Sequence, residues 1–156
     1  MIDGAESPDA VVSHVRSGMH VFIHGAAAMP APLVEALARR DDLEDVTLWH
    51  LHLEGPAPWT EPACAGRFRS VSLFTGANLR DAVAEGRADF VPIFLSDIPA
   101  LFASGRVRLD AAIVQLSPPD RHGRTRAERA RPLVEIAHPD FRGQLRAAAS
   151  SRRYFT

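Results

Sequence analysis

MHVFIHGAAAMPAPLVEALARR, residues 19–40, decides the fold. MHVFIH is short and mostly apolar, and it reads as a strand. Gly25 and three alanines turn the chain, and Pro30 opens a helix in which Leu33, Val34 and Leu37 share one face. VTLWHLHL, 46–53, is the next strand. A strand, a helix and a strand in close succession is a crossover unit, and such a unit joins parallel strands.

The same alternation continues on both sides. Upstream, Ser7 and Pro8 read as an N-cap and first helical residue, with a helix running to about Ser17 and stopped by Gly18. Downstream, GPAPWTEPACAG, 55–66, is a loop by its prolines and glycines. RFRSVSLF, 67–74, is a strand. A helix is predicted over 78–84, a strand over 88–93, a helix over 97–104 and a strand over 110–117. The expected fold is α/β: an open, mostly parallel sheet with flanking helices. The runs at 19–24 and 111–116 are so apolar that helices are expected on both faces of the sheet. After Gly123 the pattern turns to helices alone, over about 125–137 and 140–149, parted by Pro139. Pro132 inside the first of these predicts a kink or a late start. The division is therefore an α/β domain over 1–123 and a C-terminal helical tail over 124–156.

The composition narrows the class. The apolar share, 46%, suits a buried core in a chain of 156 residues. No apolar run is long enough to span a bilayer, and the acidic start MIDGAESPD is not a signal pattern, so a cytoplasmic protein is expected. The one cysteine, Cys64, excludes an internal disulfide and reads as a half-buried loop thiol. All 18 basic residues are arginine. Residues 121–156 hold 9 of these against 3 acids, whereas residues 1–120 hold 9 against 16. A basic tail can bind phosphates, but no nucleic-acid motif or aromatic stripe accompanies it, so docking on the acidic body is expected instead.

In an open parallel sheet, ligands bind beyond the carboxyl ends of the strands. HGAAAMP, 24–30, lies there. Its small residues allow close approach to backbone amides, which suits an anion, although a tight strand-to-helix turn explains the same residues. SPPDRHG, 117–123, lies there too. Ser117, Asp120 and His122 are the residue types of a hydrolytic triad, yet they crowd one rigid loop, and a turn closed by Asp120 explains them better. His50 and His52 share a face of one strand, and His24 could join them, but no further ligand completes a metal site. Arg80, in GANLR, could hold a carboxylate or phosphate or form a surface ion pair. No acid stands out as a nucleophile: Glu35, Glu85 and Glu128 fall mid-helix, Glu54 beside a glycine, and Glu61 in the proline loop.

Taken together, several stretches resemble one family. SGMHVFIHGAAAMPAPLVEALARR, HLHLEG, RFRSVSLFTGANLRDAVAEGRADFVPIFLSDIPALF and DAAIVQLSPPDRHG are similar to the N-terminal domain of the acetyl-CoA hydrolase/transferase family, which includes acetate and 4-hydroxybutyrate CoA-transferases. The tail segment RAERARPLVEIAHPDFRGQLRAAA resembles the last helices of the same enzymes. The resemblance implies a first domain joined almost directly to the final helices, with most of the second domain absent between about Gly123 and Arg126.

The resemblance also implies an activity: CoA transfer between a short acyl-CoA and a carboxylic acid, through a glutamate that attacks the thioester. That glutamate and the oxyanion loops belong to the family's second domain, and no residue here matches them. No catalytic residue is therefore assigned, and the chain alone is expected to be inactive. CoA is a substrate, and no cofactor or metal is implied. Gly25, Ala26, Ala27, Asn78, Arg80, Asp120 and His122 match family motifs and are the candidate cleft residues. The implied partners are acyl-CoA, a short acid, and either a second copy or a chain supplying the missing domain, with no nucleic acid and no membrane. A non-catalytic CoA-binding or subunit-interaction module, or a gene remnant, is the alternative.

Overall fold

A computed structural model of the chain describes residues 6–117 and 121. Five strands form one sheet: β1 (His20–Ile23), β2 (Val46–His50), β3 (Phe68–Ser72), β4 (Ala88–Phe90) and β5 (Ala111–Ile113). Their order is β4-β3-β2-β1-β5, and every pairing is parallel. The helices are α1 (Pro8–Val12), α2 (Ala31–Arg39), α3 (Arg80–Ala84) and α4 (Ile98–Ala103). The α/β class and the parallel sheet are as the sequence predicts.

The first four strands step in one direction from β1 to β4. The chain then crosses back and sets β5 on the far side of β1. Right-handed crossovers put the connections of the outward run on one face and the return connection on the other. The register shows the two faces. Val21, Ile23, Val46, Leu48 and Phe68 form the core with Val34 and Leu37 of α2. On the other face, Phe22 and Trp49 lie side by side, and Phe102 of α4 meets both edge-on, at 5.8 and 6.3 Å between ring centres. α4 has only six residues, so this face is partly open: Arg69 and Asp89 form an exposed ion pair there, at 2.5 Å. The expectation of helices on both faces of β5 therefore needs correcting. β5 is a sheet edge, Ala112 is exposed, and Val114 and Leu116 beyond it are exposed as well.

The elements are shorter than the sequence suggests. α1 ends at Val12 rather than Ser17, because the chain turns at Ser13 and again before Gly18, which takes φ 76°. β2 stops at His50, since Leu51 and His52 leave the sheet. β4 stops at Phe90, and the apolar run beyond it feeds a 3₁₀ turn, Leu95–Asp97. The proline loop holds two 3₁₀ turns, Pro58–Thr60 and Pro62–Cys64, that bury Trp59 and Cys64. Glu85 closes α3 as its C-cap and pairs with Arg87 rather than lying mid-helix. The predicted tail helices over 124–156 lie outside the described residues.

Candidate functional site

The return from β4 to β5 makes the junction of β1 and β5 the point where strand order reverses, and it is at such points that open sheets bind ligands. HGAAAMP leaves β1 at this point. The His24 amide continues the ladder by donating to the Ile113 carbonyl at 2.9 Å, and the Gln115 amide lies 3.4 Å from His24 Nδ1.

The loops after β1, β2 and β3 are bonded to one another. The Ala26 amide donates to the His52 carbonyl at 2.9 Å, and Ala26 forms an isolated parallel bridge with Leu53. Ala26 takes φ 53°, the left-handed region that costs a residue with a Cβ about 1–2 kcal/mol. Gly25 is required for a different reason. A Cβ there would sit 2.8 Å from the His52 carbonyl oxygen, closer than such atoms approach. Gly76 is crowded too, with Leu53 O 3.2 Å and Asn78 Oδ1 2.9 Å from where its Cβ would be. Asn78 Nδ2 donates to the Gly55 carbonyl at 2.8 Å, joining the loop after β3 to the loop after β2. Of the candidates read from sequence, Gly25, Ala26 and Asn78 are thus drawn into one framework, and Ala27 sits exposed within it. Arg80 opens α3 and is exposed; among the described residues it makes no ion pair, so the surface-pair reading fails. Asp120 and His122 lie outside the described residues.

Two further residues carry no obvious sequence signal. Ser72 ends β3 fully buried, Thr75 follows it, and neither hydroxyl has a hydrogen-bond partner among the described residues. An unpaired buried hydroxyl costs roughly 1–3 kcal/mol unless a water satisfies it. Thr75 lines a hollow of about 440 Å³ together with Phe74, Arg80, Val83 and Phe90. The hollow thus combines apolar walls with one exposed guanidinium, while the Thr75 hydroxyl is buried behind it.

The histidines are used otherwise than as a metal site. His50 is fully buried, and its Nδ1 lies 2.6 Å from the Leu51 carbonyl. A carbonyl only accepts, so Nδ1 carries the proton. Nε2 then accepts from the Ser70 hydroxyl at 2.8 Å, and Ser70 Oγ accepts from Trp59 Nε1 at 3.2 Å. This chain of bonds pins the proline loop to β2 and β3. Burial pushes the His50 pKa down to about 4, with the Leu51 carbonyl opposing the shift. His52, outside the strand, packs its ring on Phe74 at 5.5 Å. Among the described residues no three His, Cys, Asp or Glu side chains converge as metal ligands. Cys64 is buried rather than half-buried, with its thiol 3.3 Å from the Pro58 carbonyl and 3.0 Å from Arg67 Nη2. No described helix is long and apolar enough to cross a membrane.

The acetyl-CoA hydrolase/transferase N-terminal domain matches residues 5–129. A succinyl-CoA:acetate/propanoyl-CoA:succinate CoA transferase of Fasciola hepatica is 47% identical over 122 residues, covering 76% of this chain and 25% of that protein. A 4-hydroxybutyrate coenzyme A transferase of Clostridium kluyveri is 34% identical over 116 residues, covering 74% and 27%. Among solved structures, RipA from Yersinia pestis superposes with a TM-score of 0.68 at 25% identity, over 77% of this chain and 30% of that one. A 4-hydroxybutyrate CoA-transferase of Porphyromonas gingivalis gives 0.57 at 28% identity, over 76% and 26%. The chain spans about a quarter of the length of the curated relatives it matches. Through this N-terminal domain, the chain belongs to the acetyl-CoA hydrolase/transferase family.

Proposed function

We propose that this chain forms one wall of a cytoplasmic CoA-transferase cleft, in which CoA passes between a short acyl-CoA and a carboxylic acid of the acetate or 4-hydroxybutyrate type. The reading rests on one arrangement: three cross-bonded loops at the carboxyl edge of the sheet, beside a hollow lined by Arg80, Phe74 and Phe90. The Arg80 guanidinium can recognise a carboxylate or a phosphate, and the Phe74 and Phe90 walls suit the apolar parts of an acyl-CoA. Gly25, Ala26, Ala27, Asn78 and Arg80 are assigned as cleft residues, and Asp120 and His122 are assigned to the cleft on the family motif SPPDRHG alone. CoA is the substrate, and the site needs no other cofactor.

The nucleophile is proposed to lie in the family's second domain, since the residues here match the N-terminal domain. Glu35, Glu54, Glu61 and Glu85 are exposed, and none lines the hollow beside Arg80. A carboxylate in that setting has no means of raised reactivity. This observation favours a binding half over an independent catalyst.

The test combines turnover and binding. The 156-residue protein is incubated with acetyl-CoA and short acids, including 4-hydroxybutyrate and propionate, and the CoA species are resolved by chromatography. Thermal unfolding is followed with and without CoA and acetyl-CoA. Protection without turnover supports the reading. New acyl-CoA formed at an enzymatic rate would refute the need for a second domain. Neither turnover nor protection would favour a remnant without function.

A further inference from the structure

The three cross-bonded loops hang on the middle one, 51–55. The loop after β1 gives its Ala26 amide to the His52 carbonyl, and the loop after β3 gives the Asn78 side-chain amide to the Gly55 carbonyl. What holds the middle loop therefore sets the cleft. That loop begins at Leu51, just beyond β2, and among the described residues no backbone amide bonds the Leu51 carbonyl. The partner of that carbonyl is the His50 imidazole, at 2.6 Å. The imidazole is set in turn by two groups behind it. The Ser70 hydroxyl donates to Nε2 at 2.8 Å, and Trp59 Nε1 donates to Ser70 Oγ at 3.2 Å. The three donors all point the same way, from the proline loop through β3 and β2 to the Leu51 carbonyl. His50, Ser70 and Trp59 are all buried, so solvent does not compete for these bonds.

We infer that His50 is a positioning residue of the cleft: it fixes the Leu51 carbonyl, and through that peptide the His52 carbonyl on which Ala26 docks. A filling role alone would not ask for a histidine. Val46 and Leu48 precede it on the core face of β2, and a third aliphatic side chain would fill the place without the cost of burying polar atoms. What the imidazole adds is a bond to a carbonyl that the sheet no longer pairs, since the register of β1 on β2 ends at Ile23 and His50. A buried polar chain whose members are all satisfied stiffens the backbone on which it ends. The stiffness matters one loop away. Ala26 is held at φ 53°, and such an angle persists only where the surroundings over-determine it. Its bond to His52 is one of those determinants. A cleft residue displaced by a change far from the ligand loses much of its effect. The inference rests on the reading of these loops as a CoA-transferase cleft, and it adds His50 and Ser70 as residues that shape the cleft without touching a ligand.

The test is NMR on the full chain, reading amide hydrogen exchange and the nitrogen resonances of the His50 ring. His50 should carry its proton on Nδ1, and a ring protonated on Nε2 alone overturns the inference. Ser70→Ala cuts the relay without touching the cleft. The Ala26 amide should then exchange about tenfold faster or more, which is what one lost hydrogen bond allows. Val12→Ala, a core truncation in α1, measures what general destabilisation does to the same amide, and Ala26 should stay within about twofold of the native chain. Ser70→Thr keeps the hydroxyl and should bring the exchange back towards the native rate. An Ala26 amide unmoved in Ser70→Ala, moved as far in Val12→Ala, or not recovered in Ser70→Thr makes the relay merely structural and sinks the inference. The apparent Kd for acetyl-CoA is read in parallel from thermal protection, and it should rise about tenfold in Ser70→Ala but not in Val12→Ala. Equal protection of the native chain and Ser70→Ala refutes the positioning role. No protection of the native chain refutes the CoA reading instead, and the exchange rates then decide the His50 role by themselves.

Discussion

Gly25→Ala and Ala26→Gly exchange the same two residue types at adjacent positions, and they should move stability in opposite directions. In Gly25→Ala the new Cβ meets the His52 carbonyl oxygen at 2.8 Å and the Leu51 side chain at 3.7 Å. The obstacle is backbone, so it cannot swing aside. The loops after β1 and β2 must part by a few tenths of an ångström, which stretches the 2.9 Å bond from the Ala26 amide to His52. Weakening that bond costs up to about 1 kcal/mol, and the forced shift costs about 1–2 kcal/mol more. Ala26→Gly acts on the backbone angle instead. It relieves about 1–2 kcal/mol of left-handed strain at φ 53°, against about 0.5–1 kcal/mol of added entropy in the unfolded chain. The net effect lies between neutral and about 1.5 kcal/mol stabilising. Urea unfolding at constant m-value reads both directly, and at roughly 4 °C per kcal/mol the melting temperatures should part by about 10 °C. If Gly25→Ala unfolds within 0.5 kcal/mol of the native chain, the close approach of the two loops is wrong. If Ala26→Gly loses as much as Gly25→Ala, the strain argument is wrong.

Three other outcomes follow from the geometry. His50 is held neutral, with a pKa near 4 against an ordinary value of 6.5, so the unfolded chain binds the extra proton between those values. Stability should therefore be full above pH 6.5 and fall by about 3 kcal/mol towards pH 4, and the slope should shrink in His50→Gln when both chains are unfolded in urea across this range. Trp59→Phe removes the donor to Ser70 Oγ and leaves a cavity where the larger buried indole sat, and a loss of about 2 kcal/mol or more is expected, read by denaturant midpoint. Thr75→Val removes a buried hydroxyl without a partner, so it should leave the free protein equally or more stable in denaturant unfolding; a clearly less stable variant would mean the hydroxyl is bonded within the protein.

Much of the fold was legible in the chain. Short apolar strands alternating with helices at Leu33, Val34 and Leu37 admit little other than a parallel sheet, because burial imposes a period on the residues that make contact. The loops at the carboxyl edge were legible in outline, since Gly25, Ala26 and Asn78 fall in them. What local pattern could not carry is which groups meet across that edge. The sequence shows HGAAAMP as four interchangeable small residues. Tertiary structure separates Gly25, which lacks room for a side chain, from Ala26, which has the room but the wrong backbone angle. Likewise VTLWHLHL reads as one strand with two equivalent histidines. Packing takes His50 into the core beside Ser70 and Trp59 and leaves His52 on Phe74, because β2 stops where its neighbour β1 stops. The exposed Phe90 and Phe94 are the same lesson in reverse: an apolar run predicts burial, but whether a partner surface exists is decided by the strands and helices that arrive from elsewhere in the chain.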